Sequence, residues 1–113
     1  MPEFVKVAKV KDVPPGKLKA FEVNGNWICL ANIGSMICAV DDTCTHMQVS
    51  LAEGEIVNED GKMCVMCSEH ASLFDLKTGA VVRTPANGPL KTYDVKIEGD
   101  DITVSTEPRP AKS

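Results

Sequence analysis

The sequence predicts an all-β fold. Three observations carry that prediction. Short runs rich in β-branched and apolar residues recur along the chain, turn dipeptides separate them, and no stretch holds a long apolar period of 3.6. Phe4 to Val10 alternates and is rich in valine, and Pro14, Pro15 and Gly16 break it. Leu18 to Val23 follows, closed by Asn24-Gly25, a strong two-residue hairpin signal. Trp27 to Ile33 and Met36 to Val40 are apolar runs parted by Gly34-Ser35. Ser50 to Gly54 has room for one short helical turn. Lys62 to Met66 reads as a strand after the turn Asn58-Glu59-Asp60-Gly61. Leu73 to Leu76 and Ala80 to Arg83 flank Lys77-Thr78-Gly79, another hairpin turn. Tyr93, Val95 and Ile97 alternate with polar residues. Gly99-Asp100-Asp101 then turns the chain into Ile102 and Val104. Strands this short, spaced by turns, predict a sandwich or a small barrel.

A chain of 113 residues has room for a single domain, 1–113, with one modest core. The tail from Glu107, EPRPAKS, is polar and proline-rich, and 107–113 is expected to be disordered. A net charge of −4 with scattered basic residues offers no phosphate-binding stripe, so no nucleic-acid partner is expected. No apolar run approaches the roughly 18 residues of a membrane span. The start, MPEFVKVAKV, lacks the apolar block of a signal peptide, which makes the cytoplasm the expected location. In that compartment thiols stay reduced, so the five cysteines read as metal ligands or buried residues rather than disulfides.

The two histidines single out the chemistry. His46 follows Cys44 in CTH, and His70 follows Cys67 in CSEH. Both pairs lie in turn-like segments, at what would be the tips of two loops. Thiolate sulfur and imidazole nitrogen suit zinc, and they suit iron–sulfur clusters. Zinc fingers commonly group two cysteines in one knuckle and two histidines in the other. Here each loop supplies one of each, an order that fits a centre with two distinct irons, although a structural zinc site remains the chemical rival. Cys64 and Cys67 form a C-x-x-C, a pattern also seen in zinc and redox sites. On a strand those positions face opposite ways, so Cys64 reads as a buried small hydrophobe. Cys29 and Cys38, inside strand runs, read as core, and Trp27 as core or sheet packing.

C-x-H followed by C-x-x-H resembles the signature of Rieske 2Fe–2S proteins. The resemblance extends to SLAEG after the first box, LFDLKTGAVV after the second, and TPANGPLKTYDVKIEGDDI near the end. It covers the chain from about Phe4 to Val104. It implies an antiparallel β sandwich with a small cluster-binding subdomain at about 42–85, and one Rieske-type 2Fe–2S cluster as cofactor. It implies that Cys44 and Cys67 bind one iron, and His46 and His70 the other. High-potential relatives carry an additional cysteine in each box, and these pair in a disulfide. The matching positions here are Val49 and Glu69, so that staple is absent. Ala71 stands where a glycine commonly follows the second histidine, and 20 residues separate His46 from Cys67, a few more than usual. Ser72 occupies the place of a serine that bonds a bridging sulfide, while Phe74 replaces a tyrosine that bonds a cysteine sulfur. With one donor lost and Glu69 and Asp75 close by, the expected potential lies in the lower or middle part of the Rieske range of roughly −150 to +300 mV.

The resemblance further implies a soluble one-electron carrier rather than an enzyme. Its partners would be a flavoprotein reductase and a terminal oxygenase or another acceptor, docking transiently over His46 and His70. Met47, Leu51 and the Pro85 loop are expected as an apolar collar around that surface. Two alternatives are a small Rieske subunit of a larger reductase complex and a redox-sensing regulatory module.

Overall fold

A computed structural model describes residues 3–23, 25–34, 36–43, 50–67, 72–83 and 90–109. Eleven strands are described: β1 (Phe4–Lys9), β2 (Leu18–Val23), β3 (Asn26–Asn32), β4 (Ile37–Asp41), β5 (Glu55–Glu59), β6 (Lys62–Met66), β7 (Leu73–Asp75), β8 (Val81–Arg83), β9 (Thr92–Tyr93), β10 (Val95–Glu98) and β11 (Asp101–Ser105). Two 3-10 turns, Val10–Asp12 and Leu51–Glu53, complete the regular structure, and no α-helix occurs among the described residues. The all-β expectation therefore holds.

All strand pairings are antiparallel, in three sheets ordered β1-β11-β10, β2-β3-β4-β9 and β5-β6-β7-β8. The turn chemistry sets the registers. Val23 pairs with Asn26 across the Asn24-Gly25 turn, and Glu98 pairs with Asp101 across Gly99-Asp100. Glu59 pairs with Lys62 across Asp60-Gly61, where both central residues have positive φ, 51° and 85°. That is the backbone a two-residue hairpin requires, and Asn58 Oδ1 steadies it by accepting the Gly61 amide at 2.9 Å.

The middle sheet is buried on both faces. Along β3 and β4, Ile28, Leu30, Ile37 and Ala39 join one core, with Val23, Tyr93, Ile102 and Val104. The alternate residues Cys29, Ala31, Cys38 and Val40 join a second core, with Leu51, Val65, Cys67, Phe74, Leu76 and Leu90. Period-two alternation thus splits one strand between two interiors, which is why these runs read as continuously apolar. The first core fills the sandwich between the β1 sheet and the middle sheet. The second joins the middle sheet to the β5–β8 sheet.

Four details differ from the sequence reading. β5 was not foreseen as a strand. Its Glu55, Asn58 and Glu59 make it look like loop, yet it pairs with β6 along its whole length. Trp27 is not core: it is 55% exposed near the β2–β3 hairpin. Leu51 is fully buried in the second core, so it is no part of a surface collar. The first residues of the expected disordered tail are held in place. The Arg109 amide donates to the Thr92 carbonyl at 2.7 Å, and its guanidinium donates to Thr92 Oγ1 at 3.0 Å and to the Lys77 carbonyl at 2.6 Å.

Candidate metal centre

The first cysteine–histidine box hangs from the end of β4. Cys44, His46 and Met47 lie outside the described residues, but both ends of their segment are described. Thr43 and Ser50 form an antiparallel bridge. The Asp42 carbonyl accepts the Leu51 amide at 2.6 Å, and Asp42 Oδ1 accepts the Ala52 amide at 3.0 Å. The 3-10 turn Leu51–Glu53 then closes, with the Gly54 amide donating to the Leu51 carbonyl at 2.9 Å. On its other side, the Asp42 amide donates to the Trp27 carbonyl at 3.1 Å, continuing the β3–β4 ladder.

The second box leaves the end of β6. Cys67 is 1% exposed and belongs to the second core. Its amide donates to the Ser72 carbonyl at 2.9 Å, closing the base of a loop over residues 68–71. His70 lies outside the described residues. Ser72 is fully buried, and its Oγ has no hydrogen-bond partner among the described residues. Burying a hydroxyl without a partner costs on the order of 1–3 kcal/mol, so this atom needs an acceptor from something else at the site.

The two box flanks meet. Gly54, which ends the turn after the first box, packs so tightly on the β6 end that a Cβ there would lie 1.8 Å from the Met66 carbonyl oxygen. Glu55 pairs with Met66, the neighbour of Cys67. A third segment starts nearby, since Leu73 pairs with Arg83 at the end of β8. Its Pro85 lies outside the described residues, and it returns at Leu90 in the second core, whose amide donates to the Gly79 carbonyl at 2.8 Å. The structure thus brings the flanks of both boxes together and joins Cys67 to Ser72 by a backbone hydrogen bond. The five remaining predicted site residues, Cys44, His46, Met47, His70 and Pro85, are not among the described ones.

The other cysteines behave as core. Cys29 is completely buried, and burial first, then the nearby Asp42 charge, pushes its thiol up to about 12. Burial also raises Cys38, partly offset by Lys77 and Arg109. Cys64 is fully buried and its thiol is raised by burial and then by Asp75. Cys64 is absent from the core that holds Cys67 and Val65, as opposite faces of β6 require. Phe74 is fully buried between β6 and β8, a packing residue with no polar group to offer. Sequence reasoning missed Asp42. It is the second of two adjacent acids before Cys44, and it is 5% exposed. No periodicity signal marks a carboxylate buried by its own loop.

Residues 3–94 match the Rieske [2Fe-2S] domain. The chain belongs to the Rieske family. The ferredoxin component of biphenyl 2,3-dioxygenase from Rhodococcus jostii (strain RHA1) is 35% identical over 104 residues, covering 92% of this chain and 94% of that protein. Among solved structures, the ferredoxin of carbazole 1,9a-dioxygenase from Nocardioides aromaticivorans IC177 superposes with a TM-score of 0.83. It is 30% identical and covers 92% of this chain and 98% of its own. A chain from a complex of reduced oxygenase and oxidized ferredoxin in carbazole 1,9a-dioxygenase gives a TM-score of 0.82 at 28% identity, covering 95% and 96%.

The cofactor of this Rieske chain is one 2Fe–2S cluster. The described residues fit such a group. A buried cysteine follows β6, and the buried Ser72 hydroxyl has no partner among the described residues, so a sulfide or thiolate sulfur would suit it. No helix among the described residues is long and apolar enough to cross a membrane.

Proposed function

We propose that this chain is a one-electron carrier, a ferredoxin component that takes an electron from a flavin-dependent reductase and delivers it to a terminal oxygenase. The observation that carries the reading is the joined base of the two boxes, with buried Cys67 and a Ser72 Oγ that has no partner among the described residues, in a chain that matches Rieske ferredoxins nearly end to end. Cys44 and Cys67 would supply thiolates to one iron, and His46 and His70 imidazole nitrogens to the other. When bound, the cluster supplies a one-electron couple at this site. The protein's part is to hold the four ligands, shield the sulfurs and set the charge around them.

Cys67 sits just past a strand end, and its amide is committed to the Ser72 carbonyl, which ties the loop base together. Ser72 Oγ–H would donate to a cluster sulfur and favour the reduced form. Phe74 cannot donate, which keeps the potential in the lower or middle Rieske range. His46 and His70 would each keep a proton on the ring nitrogen not bound to iron, and a partner would dock over that edge. Met47 and Pro85 would cover the rim. A contact of this kind is small and short-lived, as a carrier with two successive partners requires. A cluster-binding subdomain at about 42–85 within a single domain agrees with the separate core under the β5–β8 sheet. Buried thiols at Cys29, Cys38 and Cys64 favour the reducing cytoplasm.

The dioxygenase-type partner rests on relatives' names. Two fold neighbours described as nitrite reductase small subunits share only 22% and 14% identity, which speaks to fold alone. Two irons and two acid-labile sulfides per chain, with a Rieske-type EPR signal after dithionite, are the expected result. Cys67→Ala should abolish both metal and signal. One zinc and no sulfide would overturn the reading. Rapid reduction by a flavoprotein reductase and reoxidation by an oxygenase would establish the carrier role. A partner that stays bound through turnover would refute it.

A further inference from the structure

Asp42 is the one buried charged residue among the described residues. None of the described ion pairs includes it. Removing a carboxylate from water costs several kcal/mol unless hydrogen bonds and local charges offset it, so an acid in this position needs a reason. Its contacts supply one. Asp42 is two residues before Cys44, and both its carbonyl and its Oδ1 reach across to the residues that follow the first box. They accept the Leu51 and Ala52 amides at 2.6 and 3.0 Å. Because Thr43 bridges Ser50 just inside, Asp42 and Thr43 on one side are stitched to Ser50, Leu51 and Ala52 on the other, closing the loop base. Only the Oδ1 contact depends on the identity of the side chain. Leu51 in turn packs in the core that contains Cys67, so the clasp ties the first box to the second.

The second consequence is electrostatic. The charge of Asp42 reaches into that same core, where it is among the causes that raise the Cys29 thiol. A buried anion at the loop base acts on any further negative charge added nearby. In a low-dielectric interior it acts more strongly than a solvated surface acid does.

We propose that Asp42 is a positioning residue of the metal centre: it clasps the base of the first ligand loop, and its buried charge lowers the reduction potential. This rests on the ligand reading above. The iron and sulfide content of the unaltered protein tests that reading separately, before any variant is made.

Asp42→Asn keeps an oxygen acceptor for the Ala52 amide but removes the charge, whereas Asp42→Ala removes both. Glu22→Gln, an exposed change of the same unit charge on β2, is the control. Three quantities are read: the midpoint potential by voltammetry, the rate of cluster loss to a chelator, and thermal unfolding of the cluster-loaded protein as a check on folding. The expected result has two parts. Asp42→Asn raises the potential beyond the change in Glu22→Gln while its cluster-loss rate stays within about twofold of the parent. Asp42→Ala loses its cluster roughly tenfold faster, as the loss of one such hydrogen bond implies. An unmoved potential in Asp42→Asn, in a protein that still holds two irons, would overturn the electrostatic role. Equal cluster loss in the Asn and Ala variants would overturn the clasp. If the Asn variant fails to fold, Asp42→Ser, smaller and still an acceptor, takes its place with the same readouts.

Discussion

The two cores flanking the middle sheet are built differently. The sandwich core is filled by Val13, Ile28, Leu30, Ile102 and Val104, with Tyr93 at its margin, its hydroxyl donating to Asp41 Oδ1 at 2.6 Å. The core under the β5–β8 sheet has three cysteines and an alanine among its ten buried members, and the buried Ser72 hydroxyl has no partner among the described residues. Its strands β7 and β8 have only three residues each. Branched aliphatic side chains bury enough area to hold a layer by themselves. Small thiols and three-residue strands do not. The sandwich is expected to hold on its own, and the cluster-bearing layer, although Val40, Leu51, Val65, Phe74, Leu76 and Leu90 also fill it, to gain more from the group it binds. A ligand that binds only the folded form adds its binding energy to folding, and this layer is where that energy is needed.

Truncating each core in turn gives the largest test. Phe74 is the largest fully buried side chain described, and Leu30 is its counterpart in the sandwich. Phe74→Ala and Leu30→Ala should each lower the free energy of unfolding by about 3–5 and 2–5 kcal/mol respectively. The difference lies in where the loss appears. Phe74→Ala should reduce iron content and amide-exchange protection in β5–β8 while β2–β4 stays protected. Leu30→Ala should weaken protection in both layers together. Equal, global loss in both variants would show that the two cores unfold as one unit.

A smaller effect tests how tightly the layers are joined. Gly54 lies where the turn after the first box meets the end of β6, and the space for a Cβ is already taken by the Met66 carbonyl. Since that neighbour is backbone, it has no rotamer to yield. Gly54→Ala should cost roughly 1–3 kcal/mol by urea unfolding and displace the strand end that leads into Cys67. Gly61→Ala is the comparison. It has no atom within 4 Å of a Cβ, so its cost comes from its positive φ alone and its iron content should stay normal. If both variants retain metal equally, the Gly54 contact does not position the second box.

The sequence exposed the chemistry more clearly than the layering. CTH and CSEH are legible because two histidines paired with two cysteines have few chemical explanations. The hairpins at Asn24-Gly25, Asp60-Gly61 and Gly99-Asp100 are legible because their turn residues are tied to a backbone conformation. β3 and β4 read correctly as fully apolar strands, but nothing in one dimension says that their two faces serve different cores. β5 was hidden because an edge strand with an open face needs no apolar alternation. Trp27 misled because hydrophobicity states what burial would gain, not whether a neighbour exists to supply it. Asp42 was invisible for the opposite reason, since its burial depends on a loop folding back over it.

Alkaline pH should separate the same two regions with the smallest effect. The cluster-side core holds Cys29, raised to about 12, and Cys38, also raised. The sandwich core has Tyr93, raised by burial and by its bond to Asp41. A group whose folded value is raised binds its proton more tightly in the folded state. Its stabilisation is complete below the unfolded value and drains as pH climbs through the window between the two. For the thiols that window opens near 9.0, and for the tyrosine near 10.0. Stability should therefore begin to fall between pH 9 and 10 through the cluster-side core, by at most about 1.4 kcal/mol per pH unit for each thiol. Cys29→Ala should flatten that first part of the slope, and Tyr93→Phe should flatten only the part above pH 10. Urea unfolding across this range reads both. A slope that Tyr93→Phe removes between pH 9 and 10, leaving Cys29→Ala unchanged, would mean that the sandwich yields first, because only a group deprotonating in the unfolded chain can draw stability away at that pH.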